Sequence, residues 1–478
     1  MTDAAVAERT IVFTSAVTRR LSDTDTPVSA YLKLCEGMPD SFLLESVEKG
    51  ESGGRYSIVA FDPLITLTLS GKGVSLSGSA SRGLPEPDRS PSAFFPVLRG
   101  LMAAVGCRDL PDLPCVGSLM GYVGWDCVRL IEELPGGLPD SPPTARLALS
   151  SCYVVFDHRQ RIMTLVAIGG DRAGALERLE RMEARLARPL CVGEIASTGP
   201  TGLTPPDRQA FLASVEEAGK LIRDGDIFQV VLSASFGGTT TMRPIDAYRR
   251  LRVFSPSPYM FFLEQGGRQL LGSSPETLVR VERSGEAVIR PIAGTRGRSS
   301  DPERDRSLEQ ELISSPKERA EHVMLVDLAR NDIGKVCEFG SVAVSPYMAV
   351  ERFSHVMHIV SEARGRLRPD ADVIDAFIAG FPAGTVSGAP KLRAMQVIDG
   401  LEATPRGPYG GAVGYFGPGQ LLDTCIAIRI IEFCGQRFSI RVGAGIVADS
   451  VGAHEYRELE NKAAQSLNAL SGTNGGLP

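Results

Sequence analysis

Two stretches carry the spacing of an amphipathic helix, one on each side of a proline-bounded linker. Upstream, Leu176, Leu179, Met182 and Leu186 recur among Arg and Glu. Downstream, Phe211, Val215, Ala218 and Ile222 follow steps of four, three and four, which places them on one helical face. The second helix should stop at Asp224-Gly225-Asp226, because Gly readily takes the left-handed conformation that ends helices. Between them, residues 189–206 read as a linker dividing an N-terminal region 1–190 from a region 205–470. Short β-type runs occur at 41–46, 65–69 and 152–156 before the linker, and at 228–236 and 423–433 after it. Two more patterned helices are expected near 317–328 and 454–467. Successive strands are often separated by turns alone, and the Pro- and Gly-rich stretches 78–92 and 135–143 read as loops. The pattern predicts an α+β fold with antiparallel sheets.

Composition narrows the function classes. The chain has 478 residues, is 43% hydrophobic and 23% charged, and carries a net charge of −6, as ordinary globular proteins do. No Lys/Arg block stands out, which argues against a nucleic-acid surface. No apolar run reaches the ~18 residues of a membrane span. The first residues lack the basic and apolar segments of a secretory signal. Nine cysteines, an odd number with no Cys-x-x-Cys, read as reduced structural thiols in a cytoplasmic protein.

Several patterns fall short of chemistry. The glycines of 407–419 miss the dinucleotide fingerprint. Gly384-Thr-Val-Ser-Gly-Ala-Pro-Lys391 lacks the Gly-Lys-Ser/Thr ending of a phosphate loop. His454-Glu455 opens like a zinc-protease helix, but Glu458 stands where a second His belongs. No Gly-x-Ser-x-Gly elbow is present. Two Glu-x-x-Glu pairs are stronger. Glu318 with Glu321, and Glu455 with Glu458, each lie ~60° apart around a helix and share a face. They fit either a solvated acidic surface or a hard oxygen site suited to Mg²⁺.

The surrounding segments decide more. Gly272-Ser-Ser-Pro-Glu276, Pro291-Ile-Ala-Gly-Thr-Arg296 and Glu321-His-Val-Met-Leu-Val-Asp-Leu-Ala-Arg-Asn-Asp332 closely resemble the chorismate-utilising enzymes. So do the segment ending in Lys391, Asp423-Thr-Cys-Ile-Ala-Ile-Arg429 and Gly443-Ala-Gly-Ile-Val-Ala-Asp449. Within that superfamily the resemblance is to the anthranilate synthase component I family. It is strong over residues 205–470 and weaker over about 25–170, through Leu43-Leu-Glu-Ser46 and Gly121-Tyr-Val-Gly-Trp-Asp126.

The resemblance implies an α/β/β/α sandwich of two large antiparallel sheets with outer helices, the two regions interleaved in space. It implies chorismate as substrate, ammonia as nucleophile, anthranilate and pyruvate as products, and Mg²⁺ as cofactor. Glu318, Glu321, Glu455 and Glu458 would hold the metal, with Glu321 and Glu458 the first choices for direct ligands. Glu276 would be the general acid for the leaving hydroxyl. His358 would assist elimination, with His355 as its decoy. Thr385 would join them. Gln229, Gly294, Thr295, Tyr409, Arg429, Gly443, Ala444, Gly445 and Lys462 would contact substrate. Glu45, Ser46, Pro258, Tyr259 and Met260, with Phe261, resemble the pieces that cup L-tryptophan in feedback-inhibited members, with Glu45 pairing the amino group.

Two positions discriminate among relatives. Isochorismate and salicylate synthases carry a Lys at the position of Gln229, where it activates water; Gln cannot act as a base. Aminodeoxychorismate synthases place a nucleophilic Lys at the position of Ala293. Both favour anthranilate synthesis. The alternatives are an aminodeoxychorismate synthase component I and a homologue that stops at aminodeoxyisochorismate. No glutaminase segment is evident, so a separate glutamine amidotransferase subunit is expected as partner.

Overall fold

The computed structural model describes residues 11–46, 54–190, 193, 195, 199–352 and 356–471. Its frame is a pair of long strands that serve two sheets. Tyr56–Ser70 and Ala145–Asp157 pair antiparallel along most of their length, with a register shift between Pro63 and Ile65. Such a bulge bends the strand carrying it. On one side of the bend Tyr56–Ser70 also pairs with Ser41–Glu45, and on the other with Gly73–Ser77.

The first sheet continues from Ser41–Glu45 through Tyr259–Gln265, Arg268–Ser274, Ile430–Cys434 and Arg437–Ile446 to Gln229–Thr239. The second runs from Ala145–Asp157 through Leu119–Val123, Ala412–Gly417, Leu421–Ile426, Thr277–Val281 and Glu286–Ile289 to Ala363–Arg366. Among the described strands only Ile11–Leu21 with Val105–Arg108 pairs in parallel. Strands from before and after the linker thus pair directly, Ser41–Glu45 with Tyr259–Gln265 and Leu119–Val123 with Ala412–Gly417.

Helices cover the outer faces. Pro244–Phe254 packs on Arg268–Ser274, and Gly452–Leu470 on Arg437–Ile446. Pro316–Gly334 lies across Glu286–Ile289 and Ala363–Arg366. This is the expected α+β sandwich.

Local differences have local causes. The helix Arg172–Leu186 buries Ala175, Leu179, Met182 and Leu186, while Leu176 is 41% exposed. Its first turn lies so close to Gly169 that a Cβ there would stand 2.6 Å from the Ala175 nitrogen, so a small residue faces the sheet. The helix Arg208–Arg223 ends where expected, with Gly225 at φ 85°. The run 423–433, expected as one strand, is two: Leu421–Ile426 and Ile430–Cys434. The break carries Arg429 at φ 51°, left-handed for a non-glycine residue. The described cysteines are free thiols, mostly buried; Cys191 and His355 lie outside the described residues. No described helix is long and apolar enough to cross a membrane.

Candidate active site

Glu276 follows Pro275 at the end of the strand Arg268–Ser274, and the Ile426 N–H donates to its carbonyl at 3.0 Å. Its side chain is buried, and burial pushes the carboxyl up to about 8. Thr385, the Ile292 N–H and the Arg429 charge oppose that rise without cancelling it. Glu276 is therefore largely protonated at neutral pH, as a proton donor must be. Thr385 sits in the turn Gly384–Val386.

Arg429 is the opposing charge. Holding a non-glycine residue at positive φ costs about 1–3 kcal/mol, and such strain concentrates at functional sites. The guanidinium is buried, which lowers its pKa, while Glu276 works the other way. Arg429, His358 and Pro275 line one cavity of about 200 Å³.

His358 lies on Val356–Val360, in a small sheet with Ile292–Gly297 and Ala349–Arg352. Its Nδ1 is 3.0 Å from the Gly294 carbonyl and 3.0 Å from the Thr295 hydroxyl. A carbonyl only accepts, so Nδ1 carries the proton and Nε2 is the basic nitrogen. Burial lowers the ring's pKa, the Gly294 carbonyl opposes it and the Arg429 charge adds to the lowering, so the net shift is downward and the imidazole is neutral near pH 7.

Glycines let the remaining groups approach. A Cβ on Gly443 would stand 2.5 Å from the Tyr409 hydroxyl, and one on Gly445 would stand 3.0 Å from Gln229 Nε2. Gln229 Oε1 is buried with no protein partner among the described residues. Lys462 Nζ donates to the Gly443 carbonyl at 2.8 Å. Ala444 is buried between the two glycines and opposite Leu232.

The carboxylates only partly meet the expectation of one converged set. Glu321 is raised by burial and then by the Glu318 and Glu458 charges, so three of the four sense one another across two helices. Cations of the chain itself hold two of them: Arg296 to Glu318 at 2.9 Å and Lys462 to Glu458 at 2.6 Å. No described trio of acidic, His or Cys side chains is close enough to enclose an ion, and no contact draws in Glu455. The donors still suit a hard cation: all are carboxylates, and like charges crowd Glu321. A Cβ on Gly294 would come within 3.0 Å of Glu318 Oε2, so the acidic helix and the His358 sheet meet there.

Residues 74–468 match the chorismate binding enzyme family. Over 470 residues the chain is 43% identical to anthranilate synthase component 1 of Cereibacter sphaeroides, covering 93% of this chain and 92% of that one. This chain belongs to the anthranilate synthase component 1 family. Identity to the Thermus thermophilus member is 42% over 464 residues, covering 96% of this chain and 98% of that one. The crystal structure of anthranilate synthase component I from Streptococcus pneumoniae superposes with a TM-score of 0.76 at 35% identity, covering 94% of this chain and 99% of that one. The menaquinone-specific isochorismate synthase of Escherichia coli shares the fold, with a TM-score of 0.72 at 20% identity, covering 96% and 94% of the two chains.

This anthranilate synthase component 1 family member has a second cavity, of about 610 Å³, bordered by Thr277, the residue after Glu276. Glu45, Ser46, Pro258, Tyr259 and Met260 all border it. The role expected for the Glu45 carboxylate needs correction. Glu45 pairs with Met260 and Leu44 with Phe261 in register, so alternation sends Glu45 and Met260 to one sheet face and Leu44 and Phe261 to the other. The Glu45 carboxylate accepts from the Tyr248 hydroxyl at 2.6 Å and from Arg252 Nη2 at 3.0 Å, on the face opposite Leu44 and Phe261.

Asp423, Glu351 and Glu362 are acids that line this cavity, and Asp423 lies beside the aromatic residues of the slot. Its carboxylate accepts from the Tyr259 hydroxyl at 2.9 Å. Burial raises its pKa, against Arg280, Tyr259 and Tyr415. Sequence reasoning missed Asp423 here, and Arg296, which holds Glu318. Both lie within quoted motifs, and only their strand neighbours reveal what they touch.

Proposed function

We propose that this chain aminates chorismate at ring C2 with ammonia, expels the C4 hydroxyl as water, and eliminates pyruvate to leave anthranilate. The observation that carries the reading is the buried, protonated Glu276 within reach of the Arg429 charge, with Arg429 and a neutral His358 lining one cavity beside Pro275. Hydroxide is a poor leaving group, so the departing oxygen takes the Glu276 proton. Arg429 binds a substrate carboxylate as a two-pronged donor, with Tyr409 and the backbone of Gly443, Ala444 and Gly445 beside it. His358 Nε2 then accepts a ring proton as the C–O bond to the enolpyruvyl group breaks, and a proton returned to the methylene of the released enolpyruvate gives pyruvate. Gln229 and Ala293 leave no Lys at either discriminating position, which favours this reaction over water addition or a covalent adduct.

Glu321 and Glu458, with Glu318 and Glu455 alongside, would hold Mg²⁺. When bound, the ion supplies a Lewis acid for the substrate's ring carboxylate. Ammonia comes from a separate glutaminase component. The purified chain should therefore convert chorismate with ammonium salts and Mg²⁺ but show no turnover with glutamine. A product other than anthranilate, such as 4-amino-4-deoxychorismate, would overturn the assignment, and glutamine-driven turnover would overturn the need for a partner.

L-tryptophan as feedback inhibitor is the ligand we assign to the second cavity. Its indole would lie against Leu44, Tyr259 and Phe261 and its ammonium near Asp423. Glu276 and Thr277 are consecutive, and Thr277 lines that cavity, 3.0 Å from the Tyr259 hydroxyl. One strand thus connects effector and acid. Filling the slot with Ser46→Phe should raise the tryptophan concentration for half inhibition by about tenfold or more, with kcat nearly unchanged. Unaltered inhibition would count against this placement.

A further inference from the structure

Beneath the substrate cradle lies a buried ionic group that the mechanism above does not use. Glu402, just past the helix Lys391–Leu401, accepts from the Ser233 N–H at 2.7 Å and from its hydroxyl at 3.0 Å. It also takes Arg406 at 2.6 Å and Arg441 at 3.0 Å, and all three charged side chains are at most 7% exposed. Arg406 in turn donates to the Val386 carbonyl and the Val231 carbonyl, each at 2.7 Å. Its guanidinium stacks 4.1 Å over Trp125 and lies 5.8 Å from the Tyr409 ring.

Each of these ends adjoins a substrate contact. Val386 follows Thr385 in its turn. Ser233 and Val231 stand opposite Gly443 and Gly445 in the strand register. Tyr409 touches Gly443. Two buried guanidiniums repel unless an acid stands between them, so Glu402 sets where both point.

We propose that Glu402 is a positioning residue for chorismate, fixing Tyr409 and the Gly443–Gly445 strand as one cradle through Arg406 and Arg441. This rests on the chorismate reading above. The cradle holds parts of the substrate that do not react, so losing it weakens ground state and transition state alike. The signature is a raised KM with kcat kept.

The test is steady-state kinetics with chorismate, ammonium and Mg²⁺ on wild type, Glu402→Gln, Tyr409→Phe and the double variant. Glu402→Gln should raise KM for chorismate about tenfold with kcat within about threefold, and should add less than about twofold in the Tyr409→Phe background, since coupled residues are not additive. Folded Glu402→Gln with unchanged KM, or a full tenfold increment on top of Tyr409→Phe, would overturn the proposal. If Glu402→Gln does not fold, Ser233→Ala removes only one tether and should raise KM about threefold, an effect absent beside Tyr409→Phe; an unchanged KM in Ser233→Ala overturns it equally. Wild type inactive on chorismate would instead sink the underlying reading.

Discussion

Glu276→Gln should lower anthranilate formation by about 10²–10⁴-fold while leaving chorismate binding nearly intact. Gln matches the volume of the protonated acid and its neutrality beside Thr385 and Arg429, but has no proton to give. The wild-type pH profile should agree. With the carboxyl at about 8, kcat/KM measured at constant free ammonia should fall as pH rises through that value. Stability has a defined sign as well. The folded acid keeps its proton where the unfolded one has lost it, so its contribution is full below the ordinary Glu value of 4.5 and is lost progressively as pH rises to about 8. Glu276→Gln lacks that slope, and its thermal midpoint should gain on wild type between those limits. A variant with normal turnover would remove Glu276 from the chemistry.

Glu321→Gln should abolish the response to Mg²⁺. Burial and the Glu318 and Glu458 charges all destabilise the ionised Glu321, and a divalent cation relieves all three at once. Wild type should therefore gain thermal stability on adding Mg²⁺ in excess, by about 2.7 kcal/mol at a hundred times Kd. In Glu321→Gln that gain should vanish and turnover should fall by more than about 100-fold. Without Mg²⁺ the variant should be at least as stable as wild type, since a repelling charge has gone. A magnesium shift that survives the substitution would move the ion elsewhere.

The sequence makes the architecture legible where periodicity reports burial. The helix of Phe211, Val215 and Ala218 and the strand containing Ile65–Leu69 come from spacing alone, because one face of each meets the core. Spacing does not reveal which side chains meet from distant strands. Glu45 is the clear case. Its motif suggests a ligand contact, but a strand sends alternate residues to opposite faces, and the register with Met260 hands it to Tyr248 and Arg252. Asp423 reaches the same cavity because alternation along Leu421–Ile426 turns it and Cys425 to the side where its strand partner Arg280 lies, a pairing that the sequence alone does not reveal. The acidic helices show the converse limit. Their i, i+3 pairs and the i, i+4 pair of Glu458 with Lys462 are readable, but Arg296 on Glu318 is a contact from a separate strand that no carboxylate spacing encodes.

In the proposed reaction one buried acid, Glu276, holds its proton at neutral pH for delivery to the departing hydroxyl. Infrared difference spectroscopy of wild type minus Glu276→Gln tests it most directly. A protonated carboxyl band assignable to this one residue is expected at pH 7, giving way to a carboxylate band only as pH passes about 8. A carboxylate band already dominant at pH 6 would contradict the account.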